Sequence, residues 1–217
     1  SGLNFGLNAA RSRQLEVGVK SLWAAGWRSQ LAVFQANTRD EIAVLSNTGG
    51  RSVYQNVGNT TRRGAEASLS GVLGAGWSTH WAVSTIRATF DNAFPSGSST
   101  VAAGNQIPGI PSGNAFGELA WFYAPWNLKA GLEWRATARI FVNDTNTDAA
   151  AGNGILSLRA GWQQRSGDWA FSEFVRIDNL GDRRTVGSVI VNESNSRFFE
   201  PAPGRTWMIG ASARMLF

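Results

Sequence analysis

The sequence predicts an all-β protein, an antiparallel meander of about ten strands that forms part of a transmembrane β-barrel. Three observations predict this class: apolar and polar residues alternate with period two, short and long connections take turns, and Trp recurs beside the short ones. The chain of 217 residues contains no Pro-, Ser- or charge-rich linker. We therefore expect one continuous unit that covers residues 1–217.

The alternation of apolar and polar residues is clearest between Leu128 and Phe141. One set of positions there is apolar, and the alternate set carries Lys, Glu, Arg and Thr. Read in this way along the chain, the strands are 12–23, 27–44, 51–72, 77–91, 113–124, 127–142, 153–165, 169–190 and 204–217. Turn-forming residues at Asn56–Thr60 and Asn179–Asp182 predict a bend in two of the longest stretches, so the count is about ten.

The connections between the strands alternate in length. Tight turns are expected at 24–26, 73–76, 125–126 and 166–168, and longer polar loops near 45–50, 92–112, 143–152 and 191–203. In an antiparallel meander, successive connections fall on opposite edges, so the short turns occupy one rim and the long loops the other. This arrangement, with strands that are apolar on one face and polar on the other, is typical of a bacterial outer-membrane barrel.

A Trp stands at each short turn or one residue past it. These residues are Trp27, Trp77, Trp126 and Trp169. In a barrel, each ring would lie where the strand re-enters the bilayer, with its N–H group still hydrated, and the four would form an aromatic girdle on the short-turn rim. A soluble β-sandwich or barrel is the alternative, with the same rings in its core and the polar residues outward.

Composition excludes several other classes. No apolar run approaches the roughly 18 residues that a spanning helix needs. The chain has no Cys, which excludes disulfides and Cys-ligated metals. Arg supplies 18 of the 20 basic residues behind the net charge of +5, but the Arg residues are scattered along the chain, so we expect no nucleic-acid partner.

Catalytic chemistry is not indicated. His80 is the only His, which excludes a His-based triad or a His-rich metal site, and no Gly-x-Ser-x-Gly or phosphate loop is present. We therefore expect neither an enzyme nor a bound metal. Four Glu residues could be mistaken for catalytic carboxylates, but beside nearby basic residues they are better explained as a lumenal ladder of salt bridges. The ladder comprises Glu16, Glu66, Glu118 and Glu133 with Lys20, Lys129, Arg135, Arg139 and Arg159.

Four stretches carry longer motifs. Phe34–Gly71 contains Tyr-x-Asn-x-Gly followed by Arg-x-Gly-x-Glu, and the others are Asn105–Pro111, Val175–Asn192 and Phe198–Phe217. Together they run through nearly the whole chain. With these motifs the sequence resembles the barrel of TonB-dependent outer-membrane receptors.

The resemblance implies a larger protein in a Gram-negative outer membrane. Members of the family have a plug domain inside a barrel of 22 strands, and this chain corresponds to about the last ten of those strands, without the plug, the TonB box or the N-terminal strands. The implied partners are outer-membrane lipid and, through the missing plug, the TonB complex. The implied ligand is a scarce small molecule, most often a ferric siderophore, with haem, cobalamin, copper or an organic cofactor as alternatives. We expect this fragment itself to bind no cofactor.

Two further groups of residues carry functional expectations. Any ligand contacts should come from the long loops, through Arg51, Asn105, Gln106, Asn143, Asn146, Arg197 and Phe198. The last strand presents an outward face that ends on an aromatic residue, an ending that the barrel assembly machinery recognises in similar barrels. That face comprises Trp207, Ile209, Met215 and Phe217. Lipid contact alone also explains it.

Other functional classes stay open at this point. A small autonomous barrel, either a pore or an enzyme, would fit the strand count. A soluble β-domain that binds a ligand or partner would fit the alternation. The motifs favour the receptor over both.

Overall fold

Nine long strands form the body of the protein, and eight short strands lie in the connections between them. The computed structural model describes residues 4–23, 26–97 and 99–215. Numbered along the chain, the strands are β1 (Arg11–Leu22), β2 (Arg28–Arg39), β3 (Ile42–Thr48), β4 (Arg51–Asn56), β5 (Thr60–Gly74), β6 (Trp77–Phe90), β7 (Phe94–Ser96), β8 (Ser99–Val101), β9 (Gly113–Tyr123), β10 (Leu128–Thr137), β11 (Ile140–Phe141), β12 (Ala149–Ala150), β13 (Asn153–Ser166), β14 (Trp169–Asp178), β15 (Val186–Val189), β16 (Phe199–Pro201) and β17 (Thr206–Met215).

The nine long strands make one antiparallel sheet in the order β1-β2-β5-β6-β9-β10-β13-β14-β17. Each long strand pairs with the long strand before it and the one after it along the chain, so the sheet is a meander, as predicted. Strand β1 pairs only with β2, and β17 pairs only with β14. The sheet of the described residues is therefore open, with a strand edge at each end.

Short turns and long loops alternate between the two rims. The short connections are 23–27, 75–76, 124–127 and 167–168, and the long ones are 40–59, 91–112, 138–152 and 179–205. Each long loop carries one of the small hairpins β3–β4, β7–β8, β11–β12 and β15–β16. The turn at Ala75 and Gly76 is two residues long because both adopt a left-handed backbone, with φ of 49° and 82°.

Two predicted strands, 27–44 and 127–142, extend too far, and the bends predicted at Asn56–Thr60 and Asn179–Asp182 are confirmed. The chain leaves the sheet at Asp40 and returns at Thr60, so 42–56 is a hairpin on the loop rim. Strand β10 ends at Thr137, and 140–141 belongs to the next such hairpin. The stretch 169–190 likewise leaves the sheet after Asp178. At the exits after β2 and β14 the backbone turns left-handed, with φ of 53° at Asp40 and 52° at Asn179. Alternation identified these hairpins as β-structure, but it does not distinguish a wall strand from a hairpin above the wall.

The two faces of the sheet differ in chemistry. One face of the sheet carries the register partners Leu31, Ala67, Val83 and Ala115. Towards β17, the same face carries Leu119, Leu132, Leu158, Val175 and Ile209. We call it the outer face. The opposite inner face carries Glu, Arg, Lys, Ser and Gln, and it is concave, because Glu16 and Lys20 on β1 line the same cavity of about 840 Å³ as Arg135 on β10.

The buried apolar core is small and lies at the loop rim. Its central cluster consists of Val57, Phe90, Phe94 and Val101, with Ala43 and Ile107 packed against it. Many large apolar side chains are instead exposed on the outer face, including Val17, Leu31, Trp81 and Ile209. Exposed apolar area on this scale marks a surface that contacts lipid or another protein. Among the described residues, none of the helical segments has the length and apolarity that a membrane-spanning helix requires.

Candidate functional site

A network of ion pairs lies on the inner face of strands β9, β10, β13 and β14. Glu133 is its centre and is buried. The guanidinium of Arg176 donates two hydrogen bonds to the two Glu133 carboxylate oxygens, both at 2.9 Å. Arg135 Nη2 donates to Glu133 Oε2 at 2.8 Å, and Arg159 Nε lies 3.2 Å from Oε1. One carboxylate is thus held by three guanidinium groups.

Two further carboxylates balance this charge. Arg159 Nη2 donates to Glu118 Oε2 at 2.8 Å, and Arg176 Nη2 donates to Asp178 Oδ1 at 2.8 Å. The network therefore contains three guanidinium groups and three carboxylates. Its geometry rests on the register, because Glu133 pairs with Glu118 on one side and with Ser157 on the other.

The predicted ladder is therefore present in part. The structure joins Glu118, Glu133, Arg135 and Arg159, and it adds Arg176 and Asp178, which sequence reasoning missed. The signal was available, because Arg176 alternates with the apolar Val175 and Ile177 and so belongs to the polar face. Glu16 and Glu66 lie on the inner face beside the 840 Å³ cavity, but they take part in none of the ion pairs of the described residues.

The four long loops are joined to each other, and we call the assembly the loop cap (residues 40–59, 91–112, 138–152 and 179–205). Asn192 is its main junction. Its Nδ2 donates to the Val44 carbonyl at 2.6 Å and to Asp144 Oδ2 at 2.9 Å, while its Oδ1 accepts from the Asp144 N–H. Its carbonyl also accepts from the Asn47 N–H at 3.0 Å. Three of the loops are linked through this one residue.

A second junction joins the fourth loop. Asn146 Oδ1 accepts from the Gln106 N–H at 2.7 Å, and Asn146 Nδ2 donates to the Gln106 carbonyl at 2.8 Å. Asn105 Nδ2 donates to the Asp144 carbonyl at 2.9 Å. Amide side chains suit this role because each offers a donor and an acceptor to backbone groups that lack a strand partner.

Two carboxyl groups of the cap have shifted acidity. Burial raises the pKa of Asp144, a change that the hydrogen bond from Asn192 only partly opposes, and its Oδ1 has no hydrogen-bond partner. Glu41 is also partly buried, which opposes ionisation. The hydrogen bonds from Arg62 Nη1 at 2.8 Å and Thr60 Oγ1 at 2.7 Å outweigh that burial, so the pKa of Glu41 lies below its ordinary value.

The structure places the predicted ligand contacts in two different settings. Asn105, Gln106 and Asn146 bond to other loops of the cap, and Asn143 bonds to Thr147 and Asp148 of its own loop. Phe198 is buried, with its ring 6.2 Å from that of Phe199. By contrast, Arg51 and Arg197 are exposed on the cap. Of the seven candidates, only these two present an exposed charge.

The four predicted girdle residues lie at the short-turn rim. Trp77 and Trp169 open β6 and β14, Trp27 stands one residue before β2, and Trp126 lies in the turn after β9. Trp77 stacks on Trp121 at 5.9 Å, which stacks on Tyr123 at 5.4 Å. The Trp126 ring meets Tyr123 edge-on at 5.3 Å, so these rings form a continuous row. A side chain at Gly71 would collide with the ring of Trp27.

The remaining predicted residues belong to the last strand. Trp207, Ile209 and Met215 are exposed on the outer face of β17, opposite Ile177, Val175 and Trp169. Phe217 lies outside the described residues. His80 faces inward with its ring 5.8 Å from Phe116. No cluster of His, Cys, Asp and Glu suited to a metal ion occurs among residues 4–23, 26–97 and 99–215.

Comparison with known proteins identifies relatives of this architecture. Residues 1–180 match the family model described as TonB dependent receptor-like, beta-barrel. The ferric preacinetobactin receptor BauA from Acinetobacter baumannii superposes with a TM-score of 0.72 at 16% identity over 93% of this chain and 29% of its own. The ferric yersiniabactin uptake receptor FyuA from Yersinia pestis gives 0.71 at 23% identity, over 95% of this chain and 30% of its own. The copper transporter OprC gives 0.71 at 19% identity, over 98% and 32%.

Proposed function

The chain belongs to the TonB-dependent receptor-like β-barrel family, and on that premise we propose that it forms wall and loops of a receptor for TonB-dependent uptake of a scarce small ligand. Barrels of this family lie in the outer membrane of Gram-negative bacteria. The chain spans about 30% of the length of the structures that it matches. We place it in the C-terminal part of a barrel of 22 strands, in which a plug domain provides the link to the TonB complex.

The observation that carries this proposal is the open nine-stranded sheet with an apolar outer face and a charged, concave inner face. Unpaired strand edges in hydrocarbon cost several kcal/mol for each exposed backbone group, so such a sheet needs further strands at both ends. A concave wall that carries fixed ion pairs supports an interior filled by protein rather than by lipid. Neither feature suits an autonomous barrel of nine strands or a soluble sandwich.

A ferric siderophore is the ligand that we propose first. The family supports a receptor, and the names of two similar structures refer to ferric siderophore uptake, while a third refers to copper. Identities below 25% carry the fold and not the ligand, so copper is the alternative to test. Arg51 and Arg197 are the proposed contacts, because exposed guanidinium groups on the cap suit the anionic groups of an iron chelate. Asn105, Gln106, Asn143, Asn146 and Phe198 would then shape the cap around the ligand.

Two further roles complete the proposal. The girdle of Trp27, Trp77, Trp126 and Trp169 would anchor the short-turn rim in the periplasmic headgroup region, since Trp favours the interface between lipid and water. The outer face of β17 with Phe217 would carry the signal that the barrel assembly machinery recognises. Both roles accompany transport and require no catalysis, in keeping with the receptors and transporters among the similar structures.

Uptake by the full-length protein tests the proposal. Cells that depend on this receptor would be given radioactive iron as chelates of several siderophore classes and, separately, radioactive copper. Replacing loop 92–112 with a short turn should abolish uptake of one iron chelate while the amount of receptor at the cell surface stays normal. Replacing Arg51 and Arg197 with Gln should weaken uptake of the same chelate, with Arg165→Gln in the wall as the matched control. Unchanged iron uptake in the loop variant, or uptake of copper alone, would contradict the ferric siderophore assignment.

A further inference from the structure

Five arginines lie on the outer face at the long-loop end of β1, β2, β5 and β6. We call them the arginine border: Arg11, Arg13, Arg39, Arg63 and Arg87. The register fixes their positions, since Arg63 stands directly opposite Arg87 and Arg11 directly opposite Arg39. All five are exposed. They lie beyond the apolar part of the outer face. Nearer the short turns, the same face of these four strands carries Val17, Leu31, Ala67 and Val83.

The distance between the short-turn rim and the arginine border matches the height of the apolar band of an outer-membrane barrel. Arg87 is ten residues from Trp77 along β6, with Thr79, Trp81, Val83 and Thr85 between them on the same face. At about 3.4 Å per residue and a strand tilt of about 40°, this separation is about 26 Å along the barrel axis. The apolar band of an outer-membrane barrel is about 25 Å tall. With Trp77 at one headgroup level, as the proposed function has it, the border lies at the other.

The charges of the border have no partner within the described part of the chain. The ion pairs found there use Arg62, Arg135, Arg159 and Arg176, and none of the border arginines. Asp91 directly follows β6 at the same end of the sheet, and its carboxylate accepts a hydrogen bond from Thr61 Oγ1 at 2.8 Å. Like charges directly opposite each other destabilise a pair of strands. The Arg63–Arg87 pair is thus an arrangement that an external anion would relieve.

The space between two of these arginines is shaped to receive such an anion. Arg63 and Arg87 line a shallow groove together with Thr85, Gln106 and Ser112. The groove therefore combines two guanidinium groups with hydroxyl and amide side chains, all of which can donate hydrogen bonds. A guanidinium group forms forked, charge-assisted hydrogen bonds to phosphate oxygens.

We propose that the arginine border binds the phosphate groups of a phosphorylated lipid in the outer leaflet of the membrane. A lipid rather than free phosphate is favoured by what lies beneath the groove. A phosphate held between Arg63 and Arg87 would place its acyl chains over Val83 and Ala67, which are exposed or half-exposed on the outer face. The long-loop rim of an outer-membrane barrel faces the cell exterior, so the lipid belongs to the outer leaflet. The border would seat the barrel at a fixed depth.

Binding of a phosphomonoester lipid to the purified full-length receptor tests this inference. Native mass spectrometry in neutral detergent would give the dissociation constant for phosphatidic acid, with phosphatidylcholine of the same acyl chains for comparison. The R63Q/R87Q variant should bind phosphatidic acid about 30-fold more weakly than the wild type, since each Arg near an anionic lipid surface contributes about a fivefold gain. The R165Q/R214Q variant is the matched control, because Arg165 and Arg214 are exposed on the inner face. It should bind as tightly as the wild type.

Each other outcome counts against the inference. Wild-type affinity in R63Q/R87Q, an equal loss in R165Q/R214Q, or equal affinity for phosphatidylcholine would overturn it. Competition by inorganic phosphate at the concentration of the lipid would show a free-phosphate site and overturn the lipid assignment. If R63Q/R87Q does not fold, R11Q/R39Q removes the second opposed pair and should also weaken binding. The wild-type affinity should in addition fall as salt rises, and an affinity independent of salt would overturn the inference.

Discussion

Replacing Glu133 with Gln is expected to destabilise the barrel far more than the same change at Glu118. The wild-type network balances three guanidinium groups with three carboxylates, and the E133Q variant leaves three guanidinium groups with two. Only 7% of the Glu133 side chain is exposed, compared with 23% of Glu118. Because Glu133 is the less exposed of the two, water compensates less for the loss of its carboxylate than for the loss of the Glu118 carboxylate.

The magnitude follows from the exposure of the partners. Removing one partner of a fully buried ion pair costs about 3–5 kcal/mol. Here the side chain of Arg135 is 52% exposed and that of Arg159 is 40% exposed, so those two contacts each contribute less than about 1 kcal/mol. The forked contact with Arg176 carries most of the effect, and Arg176 retains Asp178. We expect a loss of about 2–3 kcal/mol in E133Q and below about 1 kcal/mol in E118Q.

The assay is denaturant unfolding of the full-length protein in lipid vesicles, followed by Trp fluorescence. The free energy of unfolding is compared for wild type, E133Q and E118Q at neutral pH. A difference between E133Q and E118Q below about 0.5 kcal/mol would show that the network is too hydrated to matter, and it would refute the reasoning.

Three further predictions concern the loop cap and the last strand. Burial raises the pKa of Asp144, so its charged form lowers the stability of the folded protein at neutral pH, and stability increases as the pH falls through the raised pKa. The D144N variant should lack this pH dependence. A thermal unfolding midpoint of D144N that varies with pH as in the wild type would argue against the prediction. Asn192→Ala should speed hydrogen exchange at the N–H group of Asp144, whose acceptor is the Asn192 side-chain oxygen, whereas Asn195→Ala, which removes a side-chain contact only within its own loop, should not; equal exchange in both would rule out the junction. Deleting Phe217 should slow assembly of the full-length protein without affecting barrels already inserted, and normal surface levels would contradict a recognition role.

The wall strands were predictable because their chemistry is local. In β10 each side chain lies on either the outer or the inner face of the sheet, so alternation along the sequence reports the face directly. The alternation of short turns and long loops was predictable for a similar reason, since turn-forming glycines such as Gly74 and Gly76 favour tight connections on their own.

The loop cap was not predictable, because its contacts join residues distant in sequence. Asn192 bonds to the carbonyl of Val44, 148 positions away, and no periodicity in either loop indicates this pairing. The hairpin 42–56 alternates as a wall strand does, and the chain leaves the sheet for it at the left-handed residue Asp40. A left-handed Asp is uncommon and carries no clear mark in the sequence.

For the candidate site, the sequence predicted only which face of the sheet each residue lies on. Alternation assigned Glu118, Glu133, Arg135 and Arg159 to the lumen, but which carboxylate is central depends on the register between strands. That register brings Arg176 to Glu133 from 43 positions away. The amide residues proposed as ligand contacts were predicted from their place in the loops. Several of their side chains instead form hydrogen bonds to backbone groups of the cap. Composition alone does not reveal whether such an amide bonds to a ligand or to the protein.

The orientation of the chain in the outer membrane tests the central claim most directly. The chain has no Cys, so single Cys residues can be introduced into the full-length protein at exposed positions, provided that the rest of that protein is also free of Cys. Ala103→Cys lies in a long loop and Asp168→Cys in a short turn. A maleimide that does not cross membranes should label A103C on intact cells, and it should label D168C only after the outer membrane is permeabilised. Labelling of D168C on intact cells, with A103C protected, would contradict the account.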